Sequence, residues 1–257
     1  MLLKRLIICL DIRDGKVTKG VRFVDNREVG DPASLARRYY EEGVDELVFY
    51  DITASAEGRA IDIDMVRRVA ERIFIPFTVG GGLGSLSDMR SALLAGAEKV
   101  SLNSLAVTNP ALLEEGAREF GRQCVVLGLD AKRRPGDPRF PSGCEVVIRG
   151  GRTPAGLDVV EWAKRAADLG AGEICLNSID ADGVRDGYDL DITRRVARAV
   201  PVPVVASGGA GKIIHLRDVL LRGGADAALI ASLAHIDGRT SRDIKQELSG
   251  LGVAVRL

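Results

Sequence analysis

The sequence repeats itself at long range, and this repeat constrains the fold more than any other feature. Three segments of the first half recur 127 or 128 residues later, namely 41–55 at 168–182, 75–82 at 202–209 and 95–104 at 223–232. Residues 8–15 recur at 127–134, which is only 119 residues later. The chain therefore consists of two similar halves. We place an insertion of about eight residues, with a small hairpin, in the Pro- and Gly-rich segment 133–156 of the second half.

Short apolar runs alternate with amphipathic stretches along the chain. Eight runs have the composition of buried strands, namely Leu6–Leu10, Leu47–Tyr50, Phe77–Val79, Val100–Leu102, Val125–Leu129, Ile174–Leu176, Val204–Ala206 and Ala228–Ile230. Strands buried on both faces and alternating with helices indicate a parallel sheet. Eight such units predict the α/β class and a single (β/α)8 TIM barrel over residues 1–257, built from two half-barrels. A doubly wound open sheet is the alternative.

Composition narrows the range of partners and compartments. Lys and Arg together number 36, as do Asp and Glu, so the net charge is zero and we expect neither nucleic acid nor an anionic membrane as a partner. We find no signal peptide or membrane-spanning run and expect a cytoplasmic protein. The four cysteines form no C-x-x-C pair, which favours free thiols over disulfides or a zinc site.

Two aspartates occupy equivalent positions in the two halves. Asp11 follows the first apolar run and Asp130 follows the fifth. The strands that carry them lie opposite each other in an eight-stranded barrel, and active sites form at the carboxyl ends of such strands. Facing carboxylates suit general acid–base catalysis. Helix capping is the alternative role, which the long polar segments after both residues make less favourable.

Two glycine-rich turns are also duplicated. Gly80–Gly82 is followed one strand later by Asn103-Ser104, and Ser207–Gly211 is followed one strand later by Ala231-Ser232. Glycines let backbone N–H groups approach an anion, and a following helix N-terminus adds further donors. The alternative is that the glycines only permit tight turns. Because the arrangement occurs twice, we predict two phosphate sites and a substrate with a phosphate at each end.

The segment 14–32 between the first run and the first helix is rich in glycine and cations. We interpret it as a long loop without regular structure that closes over a ligand, with Lys19 and Arg27 facing negative charge. A solvated surface loop is the alternative. His215 and His235 lack metal-ligand spacing, so we expect no metal site and structural or surface roles for both. No Rossmann or P-loop motif occurs in a fitting context.

Several long motifs, in order along nearly the whole chain, resemble one family, the cyclase subunit of imidazole glycerol phosphate synthase. They include CLDIRDGKVTKG, DELVFYDITAS, IPFTVGGG, SIDADGVRDGYD and PVVASGGAGK. The resemblance implies a (β/α)8 barrel of histidine biosynthesis without metal or redox cofactor. It implies that ammonia reacts with a ribulosyl formimino-aminoimidazole carboxamide ribonucleotide bearing two phosphates. The implied products are imidazole glycerol phosphate and aminoimidazole carboxamide ribonucleotide.

The resemblance also implies a partner and roles for particular residues. The partner is a glutaminase subunit, docked as a heterodimer on the amino-terminal face of the barrel, which supplies the ammonia. The matching catalytic residues are Asp11, Asp130 and the loop lysine Lys19. One phosphate site matches Gly82, Asn103 and Ser104, and the other matches Asp182, Gly183, Gly209, Ala231 and Ser232. A charged ring where ammonia enters matches Arg5, Glu46, Lys99 and Glu173.

Some positions depart from the family pattern. Asn177 stands where threonine is usual, and Ala234 replaces an aromatic residue before His235. These departures leave open a divergent paralogue that serves a different amidotransferase. Two further alternatives are the sister isomerase barrel, which also uses two aspartates and a substrate with two phosphates, and a non-catalytic barrel that only activates a glutaminase.

Overall fold

A computed structural model describes residues 2–21 and 24–257 of the chain, without the side chains of residues 19–21, 24–27, 55 and 56. The strands are β1 (Arg5–Arg13), β2 (Lys16–Val21), β3 (Val24–Gly30), β4 (Glu46–Asp51), β5 (Phe77–Gly80), β6 (Lys99–Leu102), β7 (Val125–Arg133), β8 (Cys144–Ile148), β9 (Thr153–Asp158), β10 (Glu173–Ser178), β11 (Val204–Ser207) and β12 (Ala227–Ile230). The α-helices are α1 (Pro32–Glu41), α2 (Ala54–Glu57), α3 (Ile63–Ala70), α4 (Leu86–Leu94), α5 (Ser104–Thr108), α6 (Ala111–Phe120), α7 (Val159–Asp168), α8 (Leu190–Ala199), α9 (Ile213–Leu221), α10 (Ser232–His235) and α11 (Ser241–Gly250). A 3₁₀ turn spans Arg122–Cys124.

Eight of the strands form a closed parallel barrel. They pair in the order β1, β4, β5, β6, β7, β10, β11 and β12, and β12 pairs with β1 again. Ile8 lies opposite Ile230 on one side and Leu47 on the other, which fixes the register of β1. Helices connect successive barrel strands. The predicted (β/α)8 barrel is therefore confirmed, and the doubly wound alternative is wrong.

The two halves have matching architecture. Each begins with a nine-residue strand, β1 or β7, that continues into an antiparallel hairpin before its first long helix. The hairpin of the second half, β8 and β9, lies within the segment to which we assigned the insertion. The sequence repeat thus corresponds to two half-barrels, each of four strands.

The interpretation of segment 14–32 as an irregular loop is wrong. β2 pairs with β1 and β3 pairs with β2, so most of the segment is an antiparallel hairpin. Its first turn is Asp14-Gly15, whose φ angles are 50° and 76°. Two left-handed residues are what a type I′ turn requires, and Asp-Gly is a preferred sequence for it. Asp11 accordingly lies inside β1 rather than after it.

Most long helices begin at a polar residue that caps them. The side chains of Asp31, Asp62, Ser85, Asp158, Asp189 and Thr240 each accept a hydrogen bond from a backbone N–H of the first helical turn. Each such cap contributes about 1 kcal/mol to helix stability. No helix in the described part of the chain is long and apolar enough to cross a membrane.

Side chains of the barrel strands alternate between two apolar layers, as the two-residue period of a strand requires. Leu6, Ile8 and Leu10 pack outward against the helices. Ile7 and Cys9 point into the barrel, where a smaller cluster also contains Val48, Val126, Cys175, Val205, Ala227, Leu229 and Ala231. This inner cluster fills the lower barrel, so the open space lies above it, at the carboxyl ends of the strands.

The glycine turns after β5 and β11 are packed against the backbone of neighbouring loops. A Cβ atom on Gly81 would lie 2.1 Å from the carbonyl oxygen of Asp51, and one on Gly209 would lie 2.0 Å from that of Gly187. Both glycines also have positive φ angles. Loop packing by itself therefore requires glycine at these positions. The presence of glycine in these turns is for this reason not evidence that the turns bind phosphate.

We expect Gly81→Ala to lower the free energy of unfolding by about 3 kcal/mol or more, because the added methyl group meets backbone that cannot rotate away. Gly58→Ala is the matched control, since Gly58 also has a positive φ but has no atom within 4 Å of the position that its methyl group would take. It should cost only about 1 kcal/mol. Urea denaturation measures both, and equal losses would contradict the packing explanation.

Candidate active site

A cavity of about 470 Å³ opens at the carboxyl ends of the barrel strands. All eight barrel strands or the loops that follow them contribute to its wall. The lining includes each residue assigned to a phosphate site, namely Gly82, Asn103, Ser104, Asp182, Gly183, Gly209, Ala231 and Ser232. Asp11 and Asp130 line the same cavity. Lys19 lies in β2, and its side chain is outside the described residues, as is that of Arg27.

Asp130 is held by two side-chain amides. Asn103 Nδ2 donates to its Oδ2 at 2.8 Å, and Asn177 Nδ2 donates to its Oδ1 at 3.0 Å. Burial raises the pKa of Asp130 to about 6, although both amide donors act in the opposite direction; the charge of Asp182 adds a smaller upward contribution. The side-chain amide of Asn103 therefore binds the carboxylate of Asp130. Only the backbone of Asn103 is then left to contact a phosphate.

Asp11 has different surroundings. The thiol of Cys9, two residues earlier on the same face of β1, donates to Asp11 Oδ1 at 3.0 Å. By the sequence repeat, Tyr50 and Ala231 occupy the positions that correspond to Asn177 and Asn103. Neither residue carries a side-chain amide, so the two equivalent aspartates are distinct chemical groups.

Some residues of the cavity floor were missed in the sequence. The Tyr50 hydroxyl and Ser101 Oγ lie 3.1 Å apart, and both residues line the cavity, as does Cys175. Burial raises the pKa of Cys175 to about 12, so its thiol stays protonated. Ser101 and Cys175 precede Asn103 and Asn177 by two residues, so the two-residue period of a strand could have found them.

The predicted phosphate sites share a feature that supports anion binding. The backbone N–H groups of Gly82, Ser104, Gly183, Gly209 and Ser232 donate no hydrogen bond to any described residue. Gly82 and Ser104 belong to the first site, and the other three belong to the second. The helices α5 and α10 that begin at Ser104 and Ser232 span five and four residues, so they supply N–H donors rather than a large dipole.

Arg5, Glu46, Lys99 and Glu173 form a closed ring at the opposite, amino-terminal end of the barrel. Arg5 donates to Glu46 at 2.5 Å and to Glu173 at 2.6 Å. Lys99 donates to the same two glutamates at 3.0 and 2.8 Å. Burial alone would raise the pKa of Glu173, but the charges of Arg5 and Lys99 hold it below its ordinary value. The structure thus brings together all four residues of the predicted charged ring.

A closed (β/α)8 barrel with two carboxylates in the cavity at the carboxyl ends of its strands is the arrangement of a TIM-barrel enzyme. The sequence model of the family described as "Histidine biosynthesis protein" matches residues 5–239. The chain is 58% identical to the imidazole glycerol phosphate synthase subunit HisF of Desulfosudis oleivorans, over 100% of this chain and 99% of that protein. It is 59% identical to HisF of Syntrophobacter fumaroxidans and 58% identical to HisF of Desulfovibrio desulfuricans, with the same coverage.

The chain belongs to the HisF family and has the role of the cyclase subunit of imidazole glycerol phosphate synthase, a lyase of histidine biosynthesis. The family resemblance seen in the sequence is therefore confirmed, and the isomerase alternative is not supported. Because these relatives are subunits of a synthase, the family functions with a partner subunit. Within the described residues, no group of three or more His, Cys, Asp or Glu side chains could hold a metal ion.

We expect the Asp130 carboxyl group to titrate with a pKa of about 6, and Asn177→Leu to raise this pKa further, because the ionised form loses a hydrogen-bond donor. Carbon-13 NMR of the aspartate carboxyls measures both values. Asn109→Ala, at an exposed position outside the cavity, should leave the pKa unchanged. An Asp130 pKa near the ordinary value of 3.8 in the unsubstituted protein would contradict the effect of burial.

Proposed function

We propose that Asp11 and Asp130 are the acid–base pair of the cyclase reaction and that ammonia is its nitrogen donor. The observation that carries this proposal is Asp130, a half-buried carboxylate with amide donors on both oxygens and a pKa of about 6. Such a group is mostly ionised at neutral pH and close enough to its pKa to exchange a proton efficiently. We assign the role of base to Asp130, and Asp11 on the opposite strand is the second proton-transfer group.

The chemistry requires proton transfers at two stages. Ammonia adds to the ketone carbon of the ribulosyl chain, and the adduct loses water after its oxygen is protonated. The new nitrogen then attacks the formimino carbon, and the bond from that carbon to the aminoimidazole nitrogen breaks. The attacking nitrogen must lose a proton to a base, and the leaving nitrogen must gain one from an acid. The methylene carbon next to the former ketone must also lose a proton to a base, while a ring nitrogen keeps or gains one, so that the new ring becomes an aromatic imidazole. Two carboxyl groups on opposite walls of the cavity can exchange protons with the substrate from both of its sides.

The two phosphates of the substrate bind in the two glycine turns in this proposal. Free backbone N–H groups at Gly82 and Ser104, and at Gly183, Gly209 and Ser232, support this placement, since they supply donors without adding formal charge. Lys19, on the hairpin that follows β1, contributes a cation to the reacting substrate. No cofactor or metal takes part.

A further polar atom of the cavity wall suits the same substrate. Oδ1 of Asn103 is buried and accepts no hydrogen bond from any described residue. Its amide nitrogen is already bound to Asp130, so the side chain cannot turn to satisfy this oxygen without releasing the carboxylate. An N–H group of the substrate would supply the donor that Oδ1 needs.

The partner in this proposal is a glutaminase that docks on the amino-terminal face, where its ammonia reaches the ring of Arg5, Glu46, Lys99 and Glu173. Exposed apolar side chains concentrate on that face. Leu2, Phe74 and Leu94 are 90%, 83% and 83% exposed, and Leu3, Leu221, Leu251 and Leu257 lie at the same end. Among the described residues, Ile236 is the one large exposed apolar side chain on the cavity side. Such an asymmetric patch is typical of a protein interface.

We also propose that residues 1–257 act as one barrel domain in the cytoplasm. None of the four cysteines forms a disulfide bond, and three of them are buried in the barrel wall or its hairpin. Buried thiols that form no disulfide bond are typical of proteins from a reducing compartment.

We expect Asp11→Asn and Asp130→Asn each to reduce turnover by about 10²–10⁴-fold, since each removes a proton-transfer group of almost unchanged shape. The assay supplies the ribonucleotide bisphosphate with an ammonium salt and follows loss of substrate absorbance. In the unsubstituted protein, kcat/KM should fall as the pH drops through about 6, because Asp130 then becomes protonated.

Asp64→Asn, at an exposed surface ion pair, is the control and should retain full turnover. Melting temperatures of all three variants should stay within a few degrees of the unsubstituted protein. Stimulation of a glutaminase without any ammonium-dependent product would instead favour the scaffold alternative. Full turnover by both active-site variants would overturn the acid–base assignment.

We expect Phe74→Asp to weaken binding of its own organism's glutaminase subunit by about tenfold or more, because a charge replaces an exposed aromatic anchor. Turnover with ammonium salt should stay within about twofold, since Phe74 lies at the end of the barrel opposite the cavity. Isothermal titration calorimetry measures the binding. Ile236→Asp, on the cavity side, is the control, and equal effects of the two substitutions would argue against docking on the amino-terminal face.

A further inference from the structure

His235 links the second glycine-turn site to the strand that carries Asp11. It is the last residue of α10, the short helix that begins at Ser232. Its Nε2 lies 2.8 Å from the carbonyl oxygen of Cys9, and its Nδ1 lies 2.6 Å from the hydroxyl of Tyr39. Because the Cys9 thiol donates to Asp11, the chain of contacts runs from α10 to the carboxylate.

The partners of His235 determine where its protons lie. A carbonyl oxygen can only accept, so Nε2 carries a hydrogen. Arg38 donates to the Tyr39 hydroxyl at 2.8 Å, which leaves the proton of that hydroxyl to be donated to Nδ1. Tyr39 is fully buried, so each of these groups needs its partner. These contacts match the Nε2–H tautomer of the imidazole.

His235 donates the hydrogen bond that the Cys9 carbonyl would otherwise accept from β12 in the β-sheet. The N–H of Arg5 bonds to Asp226, and Arg5 lies opposite Ala227, so the odd-numbered residues of β1 bond toward β12. The pairing of β1 with β12 ends at Ile8 and Ile230. In a longer ladder, the Cys9 carbonyl would accept from the N–H of Ser232. That N–H instead donates to no described residue, and the imidazole satisfies the carbonyl.

The equivalent junction of the two halves, next to the strand of Asp130, lacks this arrangement. The segment SLAVTNP that begins at Ser104 corresponds to SLAHIDG at Ser232, so Val107 stands at the position of His235. Ala166 of α7 stands at the position of Tyr39 of α1. At this equivalent place, apolar residues therefore stand at the positions of both His235 and Tyr39. The fold itself therefore does not require the network, which joins the end of the second half to the strand that carries Asp11.

We infer that His235 is a positioning residue for the cyclase reaction. By donating to the Cys9 carbonyl it leaves the N–H of Ser232 available for the second substrate phosphate and holds the strand of Asp11 at a fixed distance from that phosphate. The inference rests on the proposed function, because it requires that phosphate binds at Ser232.

The first test is a titration with inorganic phosphate, followed by the ¹H–¹⁵N resonances of the Ser232 and Ser104 amides. Both should respond in the unsubstituted protein. His235→Val, which copies the residue of the other half, should weaken the response at Ser232 by about tenfold or more, because the ladder hydrogen bond competes for its N–H. The response at Ser104 should stay unchanged and serves as an internal control. His235→Gln keeps a donor and should lie within about threefold of the unsubstituted protein.

Steady-state kinetics separate positioning from simple packing. His235→Val should raise KM for the bisphosphate by about tenfold, whereas Tyr39→Phe, which keeps the bond from His235 to Cys9, should lower the melting temperature and change KM by less than about threefold. A His235→Val protein that melts earlier but keeps its KM and its Ser232 response would overturn the inference.

One measurement needs no variant. The ¹⁵N shifts of the His235 ring in the unsubstituted protein should show a protonated Nε2 and an unprotonated Nδ1, and the opposite tautomer would overturn the inference even if His235→Val fails to fold. Failure of the proposed function has a different signature. In that case neither amide responds to phosphate and ammonium produces no turnover in the unsubstituted protein, which overturns the phosphate assignment and this inference with it.

Discussion

The parallel pairing of β1 with β12 is the constraint on which the rest of the structure depends, because it turns a twisted sheet into a closed barrel. Closure brings the carboxyl ends of all eight strands to one rim and their amino ends to the other. Asp11 and Asp130 face one cavity only because β1 and β7 are four strands apart in a ring of eight. The four charges of the amino-terminal ring meet for the same reason.

Duplication and divergence have contributed different things to the cavity. The repeat supplies paired features: two aspartates, two glycine turns and two short helices that begin with a serine. Divergence of the two halves gives the two aspartates different neighbours, and acid–base chemistry requires such a difference. Asp130 has two asparagine partners, whereas the corresponding positions near Asp11 hold Tyr50 and Ala231. Two carboxyl groups in different surroundings can have different proton affinities, so one can give a proton while the other takes one.

The fold was predictable from the sequence because its signals are strong and repeated: eight buried runs, alternating helices and an internal repeat. The residues that line the cavity could also be predicted, because the active site of such a barrel forms at the carboxyl ends of its strands. The hairpin β2–β3 was missed, since cations and glycines suggested a loop while the decisive signal was the short Asp14-Gly15 turn. The partners of Asp130 and His235 could not be predicted, because these contacts join residues that are far apart in sequence and depend on the register of separate strands.

The charged ring also has a mechanical consequence. Each of its two cations bonds both glutamates, so no member can swing aside without breaking two contacts at once. Displacement of one side chain alone is therefore disfavoured, because it would leave two largely buried charges each without one of its partners. The four side chains hold one another in place as a unit, and a substitution at one of them should loosen the other three.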